Sequence, residues 1–404
     1  MTGGDRRALR SVGLQFWVNG MVFASFLPRL PEIRTRIDAD LRLVGLLLTL
    51  GATGGLLGSA VAERVIRRLG TRTAMTGGAT ALVAVLPIVG LAATPAVFVA
   101  ALVALHLADV VTDISMNLQA SRLSARRSVP VMNRLHGLWS VGTVVGGVGA
   151  TMAAGVVSLQ AHLVIVSVIL GLTVAYVAPG LLTDDDRGVT PPGPAGVAMD
   201  GEPAGQDRSN PGGGTPDAGR NPGPRIGAVS FALFGMFAFA VEAVPPEWAA
   251  VRMVDDLGVD PGRAGVAYVA VTSGMVVGRF AGDWISTRLG PSLSGWGALV
   301  AGVGTAVATL APGAIVTVAG FALIGLGASV LFPALYDAAA RSPHRPEARL
   351  GAMTAGIRII SLVLPVTVGA LAAHDGVTVG MAMAAVGLPS AVALVVLTRP
   401  GRVL

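Results

Sequence analysis

From Leu135 to Thr183 the chain runs 49 residues without an Asp, Glu, Lys or Arg, and from Leu289 to Tyr336 it runs another 48. About 20 apolar residues carry a helix across the hydrocarbon core of a bilayer, so each stretch holds two crossings joined by a tight turn. Followed along the whole chain, the alternation of apolar runs and polar breaks predicts twelve spans. They fall at 9-28, 43-62, 75-93, 96-119, 135-157, 162-182, 226-245, 264-285, 293-311, 313-335, 351-373 and 377-397. The runs lack the period-two pattern of barrel strands, and a backbone in hydrocarbon must satisfy its own hydrogen bonds, so the spans are helices. The predicted fold class is an all-α polytopic membrane protein.

One break is unlike the others. Between Gly188 and Pro224, 18 of 37 residues are Gly or Pro, a composition that buries too little apolar surface to offset the entropy of ordering. A disordered cytoplasmic linker, 184-225, is expected between an N-terminal six-helix bundle, 1-183, and a C-terminal one, 226-404. The halves repeat at an offset of 220. Gly45, Gly54 and Gly58 fall on Gly265, Gly274 and Gly278, and Glu63 falls on Asp283. In the same register Arg68-Leu69-Gly70 meets Arg288-Leu289-Gly290, and Gly149-Ala150 meets Gly369-Ala370. Two parallel six-helix repeats imply a pseudo-twofold along the membrane normal, with a solute site between them near mid-membrane.

Composition sharpens this picture. With 53% hydrophobic and 13% charged residues and a mean hydropathy of +0.71, the chain is far from a soluble globule. Its net charge of +6 would suggest nucleic acid in a soluble protein, but all 29 basic residues are Arg and most lie in short loops, where they set topology. With the N-terminus inside, cytoplasmic segments hold 21 Arg, counting Arg10 at the cytoplasmic edge of span 1, and external ones 6, leaving Arg279 and Arg358 deeper within spans. The first external loop is the exception: Arg29, Arg34, Arg36 and Arg42 stand there beside Glu32, Asp38 and Asp40, which balance most of the charge. Arg6-Arg7 reads as a cytoplasmic start, not an export signal. The absence of Cys excludes disulfides and thiolate metal sites, and the five His are too scattered for a ligand cluster. No metal or cofactor is expected. No GxxxxGK[ST] phosphate loop is present, so ATP does not power the chain.

At the end of span 2 the chain reads Gly58-Ser-Ala-Val-Ala-Glu63-Arg64, then Arg67-Arg68-Leu69-Gly70-Thr71-Arg72; span 8 carries Gly278-Arg279-Phe-Ala-Gly-Asp283, then Arg288-Leu289-Gly290. This doubled pattern resembles the Gly, acid, Arg, Gly, basic motif of the major facilitator superfamily over essentially the whole chain, with Glu63 in place of the usual Asp. Asp113-Ile-Ser-Met116-Asn117-Leu-Gln119, followed by Met132, His136, Ser140 and Gly142, is similar to helices 4 and 5 of bacterial permeases in the fucose-permease-like branch. Glu242-Ala-Val-Pro-Pro-Glu247-Trp248 resembles that branch's acid-Gly-x-x-x-Asp-Trp, with Ala243 for Gly, Glu247 for Asp and Pro245-Pro246 intruding. The resemblance implies alternating access driven by an ion gradient, usually protons. It assigns gating to Gly58, Glu63, Arg68, Gly70, Arg279, Asp283 and Arg288, with Arg279 and Asp283 pairing at i, i+4 and Asp283 and Glu63 meeting helix ends across the half interface.

Ionisable groups inside spans are costly and mark function by default. His106, Asp109 and Asp113 follow i, i+3, i+7 spacing and share one face of span 4. Hydrocarbon disfavours a charged carboxylate, which suits Asp109 or Asp113 to take and release a proton; a fixed ion pair tying helices is the other reading. Asp113 and His136 lie at similar depth, so a direct contact is expected, as a relay or as a buried polar pair. Arg358, seven residues into span 11, needs an anion: Asp113 or Asp109 at a closed cytoplasmic gate, or the solute itself. Glu242 binds proton or solute, or is solvated at the outer mouth, where Pro245-Pro246 are expected to break span 7. Glu247 and Trp248 are expected at the membrane interface. Gln15 and Asn19, at i, i+4 on span 1, either contact a polar solute or bond between helices, and Trp139 lines the cavity or packs on lipid. The candidates are therefore Asp109, Asp113, His136 and Glu242 for proton coupling, and Gln15, Asn19, Asn117, Arg358 and Trp139 for solute.

The expected function is secondary transport of a small organic solute with protons, export first and uptake of a sugar-like solute second; a sensor keeping the fold without flux is a third reading. No loop gathers the acids, His or Ser of a membrane transferase, so no enzyme is expected. The partners are solute, protons and lipid, with no nucleic acid, in a monomer of the bacterial cytoplasmic membrane with both termini inside.

Overall fold

The computed structural model describes residues 3–127, 131–182, 228–289, 292–340 and 346–398, and the linker expected at 184-225 lies outside them. The described chain is helical almost throughout. In order come α1 (Gly3–Ala24), the 3-10 turn Leu27–Arg29, α2 (Leu30–Arg36), α3 (Leu41–Leu91), α4 (Pro95–Arg127), α5 (Met132–Ala153) and α6 (Leu159–Val177). A second 3-10 turn, Ala178–Gly180, is followed by α7 (Ala228–Asp255), α8 (Pro261–Ala264), α9 (Val266–Leu289), α10 (Leu293–Leu310), α11 (Ala314–Ala328), α12 (Leu331–Ala340), α13 (Pro346–Ala372) and α14 (Val379–Leu397).

Among the described residues nine helices are long and apolar enough to cross a membrane. α1 and α5, at 22 residues each, match them in length. α3, at 51 residues, is long enough for two crossings and is broken at Gly70, whose φ of 79° and ψ of 160° suit a residue without a Cβ. Counted so, with α11 and α12 end to end as one crossing, the twelve predicted spans are all present. The chain is a multi-pass, all-α membrane protein.

The differences are at the ends. The Arg-rich stretch after span 2 was expected as a loop, but the helix runs on to Gly70, because polar residues beyond the hydrocarbon remain good helix formers. Span 4 likewise extends to Arg127. Span 7 was expected to break at Pro245-Pro246, yet α7 continues to Asp255 with both prolines inside it. Proline strips a donor from the carbonyl four residues back, here Val241 and Glu242, without forcing φ out of the helical range, and helices packed around a membrane span tolerate the loss.

The offset of 220 recurs in the turns. Asp40 caps α3 by accepting from Leu43 N at 2.7 Å, and Asp260 caps α8 from Gly262 N at 2.8 Å. Ser158 caps α6 and Thr378 caps α14, each through the amide three residues on. Asp38 and Gly258 both hold positive φ, 50° and 62°. Repeat-related glycines also serve matched interfaces. Gly54 lies on the Val103 backbone where α3 meets α4, and Gly274 on the Ala322 backbone where α9 meets α11; Gly45 lies against Pro365 and Gly369 of α13, and Gly265 against Thr151 of α5. A side chain at any of these would strike the neighbouring helix, so these glycines set the helix spacing.

α1 packs on α5, α3 on α4 and α6; after the gap α13 packs on α7, α9 and α10 on α11, and α14 on α10 and α7. The principal pairings between these two groups are α13 on α3 and α5 on α9. α6 turns an apolar face outward, with Ile165, Val168, Ile169 and Leu172 exposed as on a lipid-facing helix. The six turns at 36–41, 92–95, 153–159, 255–261, 310–314 and 372–379 lie together at what is here named the far end; residue 3 and Gly70 mark the near end.

Candidate functional site

Asn19 of α1 occupies the middle of the bundle. Its Nδ2 donates to Asp109 Oδ1 of α4 at 2.8 Å, and its Oδ1 accepts from Trp139 Nε1 of α5 at 2.9 Å. The amide is thereby fixed at both ends. The Trp139 ring lies below the Arg279 guanidinium, 5.7 Å from ring centroid to Cζ. Arg279, on α9, donates to Ser140 Oγ at 2.7 Å and stands 3.7 Å from Glu242 of α7. An unbroken series of polar contacts thus runs Asp109, Asn19, Trp139, Arg279, Glu242. It crosses five helices and both packing groups.

One turn along α4 toward the near end, Asn117 Nδ2 donates to the Asp113 carbonyl at 3.0 Å and to its carboxylate at 3.1 Å. His106, one turn toward the far end, turns Nδ1 to the Leu102 carbonyl at 2.8 Å and its ring to Phe23, centroids 5.0 Å apart. Tyr336 of α12 is an electrostatic neighbour of both Asp113 and Glu242. Three buried polar atoms in this region have no hydrogen-bond partner among the described residues: Gln15 Nε2, Asn117 Oδ1 and His136 Nε2.

Of the expected residues, then, Asp109, Asn19, Trp139 and Glu242 come together. Several others depart from expectation. His136 does not touch Asp113; its ring stands edge-on to Phe16 at 5.1 Å, because the start of α5 packs against α1 and not against the Asp113 face of α4. Arg358 makes no ion pair with Asp109 or Asp113, since α13 packs on α3, α7 and α14. Arg279 reaches across to α5 and α7, a role the motif did not predict; the side chain of Asp283, its expected partner, lies outside the described residues. Glu63 pairs with Arg67 of its own helix at 2.8 Å, with side chains 54% and 42% exposed, and reaches no helix end. Arg68 and Arg288 are exposed, Gly58 lies against Leu107 and Val110 of α4, and Gly70 makes the break in α3. Trp248 is 0% exposed and packs in the core, so its indole does not face lipid.

The sequence reading missed a set of far-end locks. Arg29 pairs with Glu32 at 2.6 Å and donates to the Val157 carbonyl at 2.9 Å; Arg36 donates to the Ala92 carbonyl at 3.1 Å. Buried Arg252 pairs with Asp256 at 2.7 Å and donates to Ala308 and Ala311 carbonyls, while Asp256 accepts from the first amides of α14, Val379 N and Gly380 N. Cations thus close helix C-termini and the acid closes an N-terminus, each in the favourable sense of the helix dipole. Arg34 of α2 pairs with Asp255 at the end of α7, joining the two packing groups. The signal for Arg29, Arg34 and Arg36 was the Arg excess in the first external loop; Arg252 and Asp256 lie outside that loop.

A helical membrane bundle whose two helix groups share charged and polar side chains in its interior has the build of a solute carrier. Residues 12–345 match the family model of the Major Facilitator Superfamily, and the chain belongs to that superfamily of transporters. It is similar to an MFS-type transporter of Yersinia pestis, 29% identical over 343 residues that cover 83% of this chain and 81% of the relative. In fold it resembles the nucleoside transporter NupG, with a TM-score of 0.66, 14% identity and 98% of each chain covered. It also resembles a bacterial homologue of the human lysosomal transporter Spinster in an inward-facing, unoccupied conformation, with a TM-score of 0.66, 17% identity, and 98% and 95% of the chains covered.

Proposed function

We propose that the chain is a proton-coupled secondary transporter of a small polar organic solute, working by alternating access and favouring export. The observation that carries this reading is the series Asp109–Asn19–Trp139–Arg279–Glu242, which puts two acids from different helix groups in one chain of contacts. Protonation at either end changes what Arg279 and Asn19 hold, and therefore how the groups engage each other. The far-end pair Arg34–Asp255 and the helix approaches of Gly45 and Gly265 hold that end together, whereas none of the principal pairings joins α4 to α12 or α13 toward the near end. The Arg bias of 21 against 6 supports placing the near end, with both termini, on the cytoplasmic side of a bacterial inner membrane. The excess Arg of the far-end loop fits this orientation, since Arg29, Arg34 and Arg36 are held by acids or helix carbonyls.

The test is reconstitution. Proteoliposomes are given an imposed pH gradient and a defined mixture of polar metabolites, and the internal species are read by mass spectrometry. Accumulation of particular solutes that collapses with a protonophore is expected, in inverted vesicles more than in right-side-out ones. Solute movement indifferent to the gradient, or none, overturns the coupled-transport reading; movement favoured in right-side-out vesicles reverses the direction to uptake.

A further inference from the structure

We propose that the Asp109–Asp113–Asn117 face of α4 is the seat of a positively charged group, and that the solute carries a protonated amine. This rests on the transporter reading above and names the solute class for the same site.

The first observation is the balance of charge. Mid-bundle there are three acids, Asp109, Asp113 and Glu242, and one engaged guanidinium, Arg279, which stands by Glu242 and Ser140. The hydrogen bonds received by Asp109 and Asp113 come from neutral amides, Asn19 and Asn117. An amide satisfies an oxygen without cancelling its charge. Around these acids, His106 is an electrostatic neighbour of Asp109 but turns its Nδ1 to a backbone carbonyl on its own helix, Tyr336 of α12 is a phenol, and Arg358 of α13 pairs with neither.

The second observation concerns hydrogen-bonding sense. Asn117 is 4% exposed, and its Oδ1, beside Asp113, is without a donor. The free valences of this face are therefore acceptors: the unused carboxylate oxygens and one amide oxygen. An ammonium, with three donors and no acceptor, is their complement; a carboxylate or phosphate would add acceptors to acceptors. A donor also waits nearby. Asn19 meets Asp109, and α1 and α4 run antiparallel, so Gln15 and Asp113, each four residues on, lie about 6 Å further along at a common level. Gln15 is 1% exposed and its Nε2 is unpartnered, so it suits a hydroxyl or carbonyl of the same solute. Solute ammonium and proton would compete for the same carboxylates, which makes the cycle an exchange.

The experiment uses wild-type protein and probes too small to depend on the solute's skeleton. Dicyclohexylcarbodiimide, an apolar reagent that adds to carboxyl groups within membranes, is applied to the purified full-length chain with methylammonium, methanol or formate at equal concentration and ionic strength. Modification of the peptide containing residues 109 and 113 is followed by mass spectrometry. Methylammonium is expected to slow it severalfold, with methanol and formate without effect. Equal modification in all three, or protection by formate or methanol instead, overturns the proposal. Flux in proteoliposomes separates this from the transporter reading. Protection by methylammonium without flux of any amine keeps the cation seat and sinks transport; coupled flux of neutral or acidic solutes without protection keeps transport and sinks the cation seat.

Discussion

The far end of the bundle and its middle both hold buried charge, but they use it in opposite ways. At the far end each of these buried ions has an opposite charge beside it: Arg252 has a carboxylate and two helix carbonyls, Asp256 has Arg252 and two backbone amides, and Arg29, though its Nη1 is unpartnered, has Glu32 and the Val157 carbonyl. In the middle, Asp109 and Asp113 receive only amide donors, Arg279 stands 3.7 Å from Glu242, and Gln15 and Asn117 keep unpartnered atoms. A buried ion pair with its hydrogen bonds complete is a fixed structural element, since opening it strands a charge in low dielectric. A buried charge held only by neutral partners remains available to a proton or a ligand. The comparison teaches that burial alone does not mark function in a membrane bundle; a charge without an opposite partner does.

The largest effect that would break this comparison is at Asp109. Asp109→Asn removes the charge while leaving an oxygen for Asn19 to donate to, so gradient-driven flux should fall at least tenfold. Thermal unfolding in detergent should show a stability change within about 1 kcal/mol, because a buried neutral isostere is no harder to hold than the acid. Preserved flux would mean that the middle charges are structural after all.

Arg252→Met should behave in the reverse way. It leaves Asp256 buried without its cation, at a cost of about 3–5 kcal/mol, toward the lower bound because two amides remain on the carboxylate. Flux per folded molecule should be unchanged, and a loss of flux without loss of stability would move Arg252 to the functional side.

The pair Arg34–Asp255 sharpens the boundary, for it lies at the far end yet joins the two helix groups, with each side chain 20% exposed. Arg34→Glu or Asp255→Arg alone should raise the labelling rate of a single cysteine introduced as Ala154→Cys in a chain that has none. The double swap should restore slow labelling, with a coupling of about 1 kcal/mol. A double swap no slower than the singles would show that the pair does not hold the far end shut.

The smallest effect is expected at Glu63→Gln. Its ion pair with Arg67 is exposed and lies on one helix, a geometry in which i, i+4 pairs contribute about 0.3–0.5 kcal/mol and are screened by salt. The unfolding midpoint should barely move, and that shift should vanish at high salt.

The class of fold was legible in the sequence because hydrocarbon imposes one rule at every depth: about 20 apolar residues per crossing, all helical. The repeat was legible as well, since close helix approach tolerates only small residues, and the glycines at 45, 54, 265 and 274 recur where the same interfaces recur. The acids of α4 stood out because charge inside an apolar run has no bland neighbour to hide among. Partnerships were harder. Asp113 with His136 and Arg358 with Asp113 followed from equal depth, which fixes height along the membrane normal and says nothing about rotation or about which helices touch; helical spacing likewise gave no sign that Arg279 reaches α5 and α7. Pro245-Pro246 misled for a related reason: the rule that proline ends a helix comes from isolated chains, whereas α7 stays continuous among the helices packed around it.

The amino-acid order by itself determined that this protein lives in a bilayer, how many times it crosses, that its halves are copies and which face of α4 carries acid. Only the tertiary structure decided that Asn19 bridges Asp109 to Trp139, that Arg279 reaches Glu242 across the two groups, and that the Arg of the far-end loop close helix termini. The physical reason is that solvent acts on each residue singly and so is written locally, while a hydrogen bond between α1, α4 and α5 depends on three rotations that no single segment encodes.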